Sequence, residues 1–291
     1  VVFPITHNGK ILGFVGRRHP DATDTDRRGP KYLNTSDTVL YSKGDQLYVA
    51  GDPHPLLTGA AAPVLGEGPM DAIAITLAGD GRYIGVAPLG TSLTTTQARQ
   101  LASWRQDPII ATDNDPAGQR AATRDFWLLT PHRIDPHTIT LPAGQDPASV
   151  YTDLGPDTLA HHLRHASSLG EQLLHHTLTT ASAEALETAL DLAAARPEST
   201  WEDSLAVLTS RLTIPRETVA AQLNAAANRM TTNPLPIAQR RLDAVHAPPR
   251  NPALSAPRSD AAGGPAPMPQ QAAATERRRG SLEPEPRSLD W

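Results

Sequence analysis

The chain has 291 residues, enough for one large domain or two modest ones with a real core, which excludes disorder throughout. Lys and Arg number 26 against 31 Asp and Glu, a formal charge of −5, so bulk charge argues for no polyanionic partner and any such site must be local. The absence of cysteine excludes disulfide scaffolds, thiolate zinc sites and Cys nucleophiles, and it makes the cytoplasm the expected compartment.

No apolar run approaches the length of a membrane span, and no charged start with an apolar core reads as a signal peptide. The chain opens on Val1-Val2-Phe3-Pro4-Ile5 and is read as a fragment that begins inside an element. Val1 to Ile5 and Ile11 to Val15 are predicted strands around an Asn8-Gly9 hairpin turn. Leu40 to Tyr41 and Gln46 to Ala50 are weaker strand candidates, with a turn at Lys43-Gly44-Asp45 between them. Lys10, Lys31 and Lys43 are the chain's 3 lysines, and all lie within a stretch of 43 residues carrying 7 basic against 4 acidic side chains. A local positive surface made partly of compact point charges suits phosphate.

From residue 62 short apolar runs alternate with helical stretches. The runs are Ala62 to Leu65, Tyr83 to Ala87, Pro108 to Ala111 and Thr138 to Leu141; Pro69 to Ala78, Thr95 to Trp104 and Pro116 to Leu129 are the helices between them. Three successive βα units predict a parallel sheet covered by helices on both faces. Pro69 and Pro116 stand where a helix would start. Leu169 to Ala195, Trp201 to Leu212 and Pro215 to Met230 are predicted helices of a small bundle, with Leu205, Leu208 and Leu212 on one face. Beyond about Pro234 the apolar pattern stops, and Pro, Ala, Arg and Ser dominate in what is read as a disordered tail. Its Arg277-Arg278-Arg279 run reads as solvated charge. The expected division is a basic β subdomain over 1–58, an α/β domain over 59–154, a helical subdomain over 155–231 and the tail over 232–291.

Ligands bind beyond the carboxyl ends of parallel strands, and there the chain writes acids. Glu67 follows the first run, Asp113 and Asp115 follow the third, and Asp146 lies a short loop beyond the fourth. Carboxylates brought together this way repel one another unless a cation sits among them, and hard oxygen donors favour Mg²⁺ or Mn²⁺. Such a site fills its coordination shell with substrate phosphate, the arrangement used in phosphoryl and nucleotidyl transfer. Rival motifs fail: Arg124 stands where a calcium loop needs its last Glu, and Asp71 where a dinucleotide fingerprint needs its third glycine. His161 and His165 lie four apart without a nearby acid pattern, and no zinc is expected. Trp104 and Trp127 are expected to pack, while Thr91 and Ser92 either donate to phosphate or cap the next helix.

Glu67-Gly68-Pro69-Met70-Asp71, Leu89-Gly90-Thr91-Ser92 and Asp113-Asn114-Asp115-Pro116-Ala117-Gly118 together resemble the Toprim domain of primases, topoisomerases and some nucleases. Upstream, Gly13-Phe14-Val15-Gly16-Arg17, Pro30-Lys31-Tyr32-Leu33-Asn34 and Lys43-Gly44-Asp45-Gln46-Leu47-Tyr48 are similar to the segment that precedes Toprim in bacterial DnaG-type primases, and Leu141 to Pro147 is similar to that family's last acidic motif. The resemblance runs from Val1 to Met230. It implies a Rossmann-like Toprim sheet and an Mg²⁺-dependent core that makes RNA primers on single-stranded DNA from nucleoside triphosphates, with a replicative helicase as a further partner. Carried over, Glu67 would organise the metal and act as acid/base, Asp113, Asp115 and Asp146 would ligate, and Asp71 would support them or cap its helix. Arg17, Lys31, Tyr32, Asn34 and Lys43 would match the ridge that binds nucleotide and template. The chain departs from the pattern at Ala143, where the family usually has an Asp, and it lacks the family's zinc module, the first part of the basic subdomain and an evident helicase-binding domain. The alternatives are a Toprim nuclease using the same acids, less readily a topoisomerase, and a non-catalytic binding remnant of a mobile-element primase.

Overall fold

The computed structural model describes residues 1–246 apart from 8, 20–31, 91, 105, 180–181 and 213. Lys31 and Thr91, the Asn8 of the predicted hairpin turn, and the segment 247–291 with Arg277-Arg278-Arg279 therefore lie outside the described residues.

Strands β1 (Val2–His7) and β2 (Lys10–Arg17) pair antiparallel, and Gly9 in the turn adopts φ 73°, a conformation that favours glycine. β3 (Tyr32–Asn34) pairs antiparallel with β2, setting Tyr32 opposite Arg17. Alternation along these strands turns Phe3, Ile5 and Val15 inward, where they share a core with Tyr41, Tyr48, Ala72, Ala87 and Leu89. That shared core fixes the small sheet against the larger one.

The larger sheet contains β4 (Leu47–Val49), β5 (Ala62–Leu65), β6 (Tyr83–Pro88), β7 (Ile109–Ile110), β8 (His137–Thr138) and β9 (Ser167–Ser168), in the order β4-β6-β5-β7-β8-β9. The inner four strands are parallel and the two edges antiparallel, so the expected α/β architecture is present as a mixed sheet. Helices α1 (His54–Thr58), α2 (Pro69–Ala78), α3 (Thr95–Ser103) and α4 (Pro116–Leu129) make the connections. Val64 and Ile109 point to one face, where Ile75 of α2 meets Leu159 and Leu163 of α6 (Pro156–Arg164). Leu65 and Ile110 point to the other, against Leu101 of α3 and Phe126 of α4. Between β8 and α6 lie a single turn, α5 (Pro147–Ser149), and a π-helical turn over Val150–Leu154.

The second core extends into α7 (Leu169–Thr177), α8 (Ala183–Ala195), α9 (Trp201–Arg211), α10 (Arg216–Thr232) and α11 (Pro234–His246). Trp104, Trp127, Leu205 and Leu208 are buried in it, as expected.

Three expectations are corrected. Leu40–Tyr41 is not a strand, because the Thr38 hydroxyl accepts the Leu40 and Tyr41 N–H groups and holds a bend in place of a ladder. The helix predicted over Leu169–Ala195 is two helices, α8 restarting on Ser182, whose Oγ accepts the Ala185 N–H at 3.0 Å. The expected tail begins as α11: Ile237, Ala238, Leu242 and Val245 recur at helical spacing and pack on the main core. Its Arg241 is buried and donates to Asp191 Oδ2 at 2.6 and 3.0 Å, so an apparently polar segment is anchored through a charge the sequence pattern does not pair.

Candidate metal and nucleic-acid site

The acids gather because their loops leave adjacent parallel strands. Glu67 follows β5 and is exposed; Asp113 follows β7, and its N–H donates to Glu67 Oε1 at 3.3 Å. Gly118 permits this geometry, since a Cβ there would stand 2.0 Å from the Asp113 carbonyl oxygen. Asn114 Nδ2 donates to the Leu141 carbonyl at 2.7 Å, which ties the loop of Asp113 to the segment leading to Asp146. Asp146 Oδ1 accepts the Ser149 N–H at 2.6 Å. Asp71, on the first turn of α2, accepts the Gly68 N–H at 3.0 Å and the Ala148 N–H at 3.4 Å, so it both caps its helix and joins the acid group.

Glu67, Asp71, Asp113 and Asp146 line one cavity of about 410 Å³, together with Arg17 and Tyr32. Asp115 does not line it. Its Oδ1 accepts the N–H groups of Ala117 and Gly118, both at 2.8 Å, as the N-cap of α4. Ala143 is exposed in the loop between Leu141 and Asp146, so that loop contributes no acid at the place where a further one was expected.

The cavity is electrostatically frustrated. Burial, then the Asp146 charge, pushes Asp71 up to about 7 against the pull of its two backbone hydrogen bonds, and Asp113 adds to the rise. Burial also raises the Tyr32 hydroxyl, an effect opposed by Arg17 and reinforced by Asp71 and Asp146. Among the described residues no three acidic or histidine side chains stand close enough to form a ready ligand set. The donors are nevertheless all carboxylate oxygens around a cavity with excess negative charge, which fits a hard cation that retains water and takes phosphate oxygens.

Of the predicted ridge, the Arg17 guanidinium carbon lies 5.7 Å from the Tyr32 ring centroid. Tyr32, Asn34 and Lys43 line a second cavity of about 620 Å³ that shares Tyr32, Glu67 and Gly68 with the first. Asn34 Nδ2 donates to the Leu89 carbonyl, while its Oδ1 is buried without a hydrogen-bond partner among the described residues. Ser92 accepts from Arg124 Nη1 at 2.9 Å, and Arg124 also donates to Asp125, which burial raises to about 6 despite that partner. Sequence reasoning missed Asn114, Arg124 and Asp125; only the exception of a charged pair on a face that must pack could have signalled the last two.

Residues 64–151 match the Toprim-like family model, and residues 1–52 match that of the DNA primase catalytic core, N-terminal domain. The two matches contain every site residue named above. The solved E. coli primase catalytic core is 30% identical, with a TM-score of 0.58 over 74% of this chain and 70% of that one. The chain carries a DnaG-type Toprim primase core. A solved DnaG primase catalytic domain bound to ssDNA is 29% identical, with a TM-score of 0.60 over 75% of this chain and 70% of that one. Among curated relatives, the DNA primase of Aquifex aeolicus is 30% identical over 60% of this chain, and that of Legionella pneumophila 36% identical over 58%. The primase core spans only about a third of these relatives, 34% and 29% respectively.

Proposed function

We propose that this chain is an Mg²⁺-dependent primase core that joins ribonucleotides into RNA primers on single-stranded DNA. The observation that supports this reading best is the common wall of the two cavities, where Glu67 of the acid group meets Tyr32 of the basic subdomain. A phosphate chain lying across that wall has Asp71, Asp113, Asp146 and Arg17 lining the cavity on one side and Lys43 lining the cavity on the other.

Glu67, Asp113 and Asp146 would hold the cation, with Asp71 supplying charge from behind and Asp115 fixing the start of α4 as its N-cap. A Mg²⁺ ion held there would neutralise the triphosphate and lower the pKa of an attacking hydroxyl. Glu67, exposed at the rim, would accept the proton of a 3′-hydroxyl as its oxygen bonds to the α-phosphorus of the incoming nucleotide and pyrophosphate leaves. Arg17, Lys31 and Lys43 bind phosphates of template and nucleotide, and Tyr32 offers a face for a base.

The test is primer synthesis from labelled ribonucleotides by the chain and its Glu67→Gln and Asp113→Asn variants. Each substitution is expected to lower synthesis by at least about 100-fold with the thermal midpoint nearly unchanged, the scale of losing a group that acts in the transition state. Synthesis that survives both changes contradicts the assignment.

A further inference from the structure

Lys43 sits in a turn in which the Asp45 N–H donates to the Ser42 carbonyl at 3.0 Å, and side chains from elsewhere bind the rest of it. Four hydrogen bonds to the Lys43–Leu47 segment come from side chains of α3 and its N-cap residue. Gln97 Nε2 donates to the Lys43 carbonyl at 3.1 Å and to the Gln46 carbonyl at 2.7 Å. Thr94 Oγ1 donates to the Gly44 carbonyl at 2.6 Å, and Gln100 Oε1 accepts the Leu47 N–H at 3.3 Å. From the other side, Asp37 Oδ1 accepts the Lys43 N–H at 3.1 Å.

Gln97 is the informative member because it does more than its local role needs. It is the third residue of α3 and completes a capping box, its Oε1 accepting the Thr94 N–H at 3.0 Å while its own N–H donates to Thr94 Oγ1 at 3.1 Å. A Glu would serve that box equally well, since only the acceptor is used. The amide nitrogen is surplus to the cap, and both of its hydrogens go to the loop. The whole side chain is buried at 0% exposure, where a polar group is tolerated only if each of its bonds is made. Lys43 itself is exposed and lines the cavity that also holds Glu67.

We propose that Gln97 is a positioning residue, whose amide nitrogen clasps the Lys43–Gln46 backbone and so sets Lys43 at the rim of the cavity that includes Glu67. The proposal rests on the reading above that Lys43 contacts a phosphate. Its physical content is preorganisation: a fixed Cα leaves only side-chain freedom to be lost when phosphate binds, so the contact is worth more.

The experiment measures the anisotropy of fluorescein-labelled oligo(dT) at low salt with the full chain and its Lys43→Ala, Gln97→Glu and doubly substituted forms, alongside amide hydrogen exchange. Gln97→Glu keeps the cap acceptor and removes both donors to the loop. It should weaken binding by about 3- to 10-fold, the scale of one charge-assisted contact, and speed exchange at 44–47 while leaving β5 and β6 protected. In the Lys43→Ala background it should change binding no further. A through-space effect of the new carboxylate would persist in that background, and such additivity overturns the proposal. Unchanged binding by Gln97→Glu alone overturns it while leaving the functional reading standing; unchanged binding by Lys43→Ala overturns it by removing Lys43 from the phosphate contacts, and a wild-type chain that binds no oligo(dT) contradicts the functional reading itself. Should Gln97→Glu not fold, Gln100→Ala removes only the acceptor of the Leu47 N–H and should give a smaller loss with the same non-additivity.

Discussion

Asp71 is the most strained charge among the described acids. Its carboxyl, 7% exposed, is pushed up to about 7 first by burial and then by Asp146. A group that titrates higher in the folded than in the unfolded chain binds more protons when folded, so its contribution to stability falls as pH rises from the unfolded value toward 7. In metal-free protein the thermal midpoint is therefore expected to drop between about pH 5 and pH 7, and Asp71→Asn to flatten that drop. Mg²⁺ favours the ionised form and should raise the midpoint more at the higher pH. Calorimetry on both proteins, with and without the ion, reads this directly; a pH-independent difference between them would show that Asp71 does not carry the strain. At this scale much was legible: Glu67, Asp113 and Asp146 could be placed from the ends of apolar runs alone. The capping of Asp115 and the double duty of Asp71 were not, because both depend on backbone N–H groups whose directions no residue pattern states.

At the scale of elements, α2 and α4 announce themselves by a proline at their first turn, and both begin where expected. β5 and β7 were legible because a strand buried on both faces needs an unbroken apolar run. The last helix was hidden. Its apolar residues are interrupted by Arg240 and Arg241, and the reason Arg241 does not face water is Asp191, fifty positions earlier and wholly buried. Removing one partner of a buried ion pair leaves the other charged and dry, so Asp191→Ala should cost about 3–5 kcal/mol in urea unfolding. The exposed Arg240–Glu187 pair should matter far less: Glu187→Ala is expected to cost under about 1 kcal/mol. Similar losses for the two would mean that α11 is held by its apolar face alone.

For the whole molecule, the net charge of −5 and the binding of a polyanion are reconciled by segregation, since the fixed cations assigned to phosphate all come from the first 43 residues. Three phosphate contacts, by Arg17, Lys31 and Lys43, predict a slope of about −2 for the logarithm of single-strand affinity against that of salt, at roughly 0.7 per contact. Lys43→Ala should lower that slope in magnitude by under 1, and an unaltered slope would remove Lys43 from the contact set. The shared core of Phe3, Ile5, Val15, Tyr48 and Leu89 lets this basic edge stand against the acids as one rigid frame. That core was beyond sequence reasoning, because it joins two sheets whose strands are each patterned for their own layer.

The most direct measurement is incubation of the chain with a single-stranded DNA template and labelled ribonucleotides, with Mg²⁺ and with the ion chelated. Template-dependent RNA that appears only with the ion is the predicted result. Shortened DNA without new RNA, or product that is indifferent to chelation, would contradict the account of these acids as a primase centre.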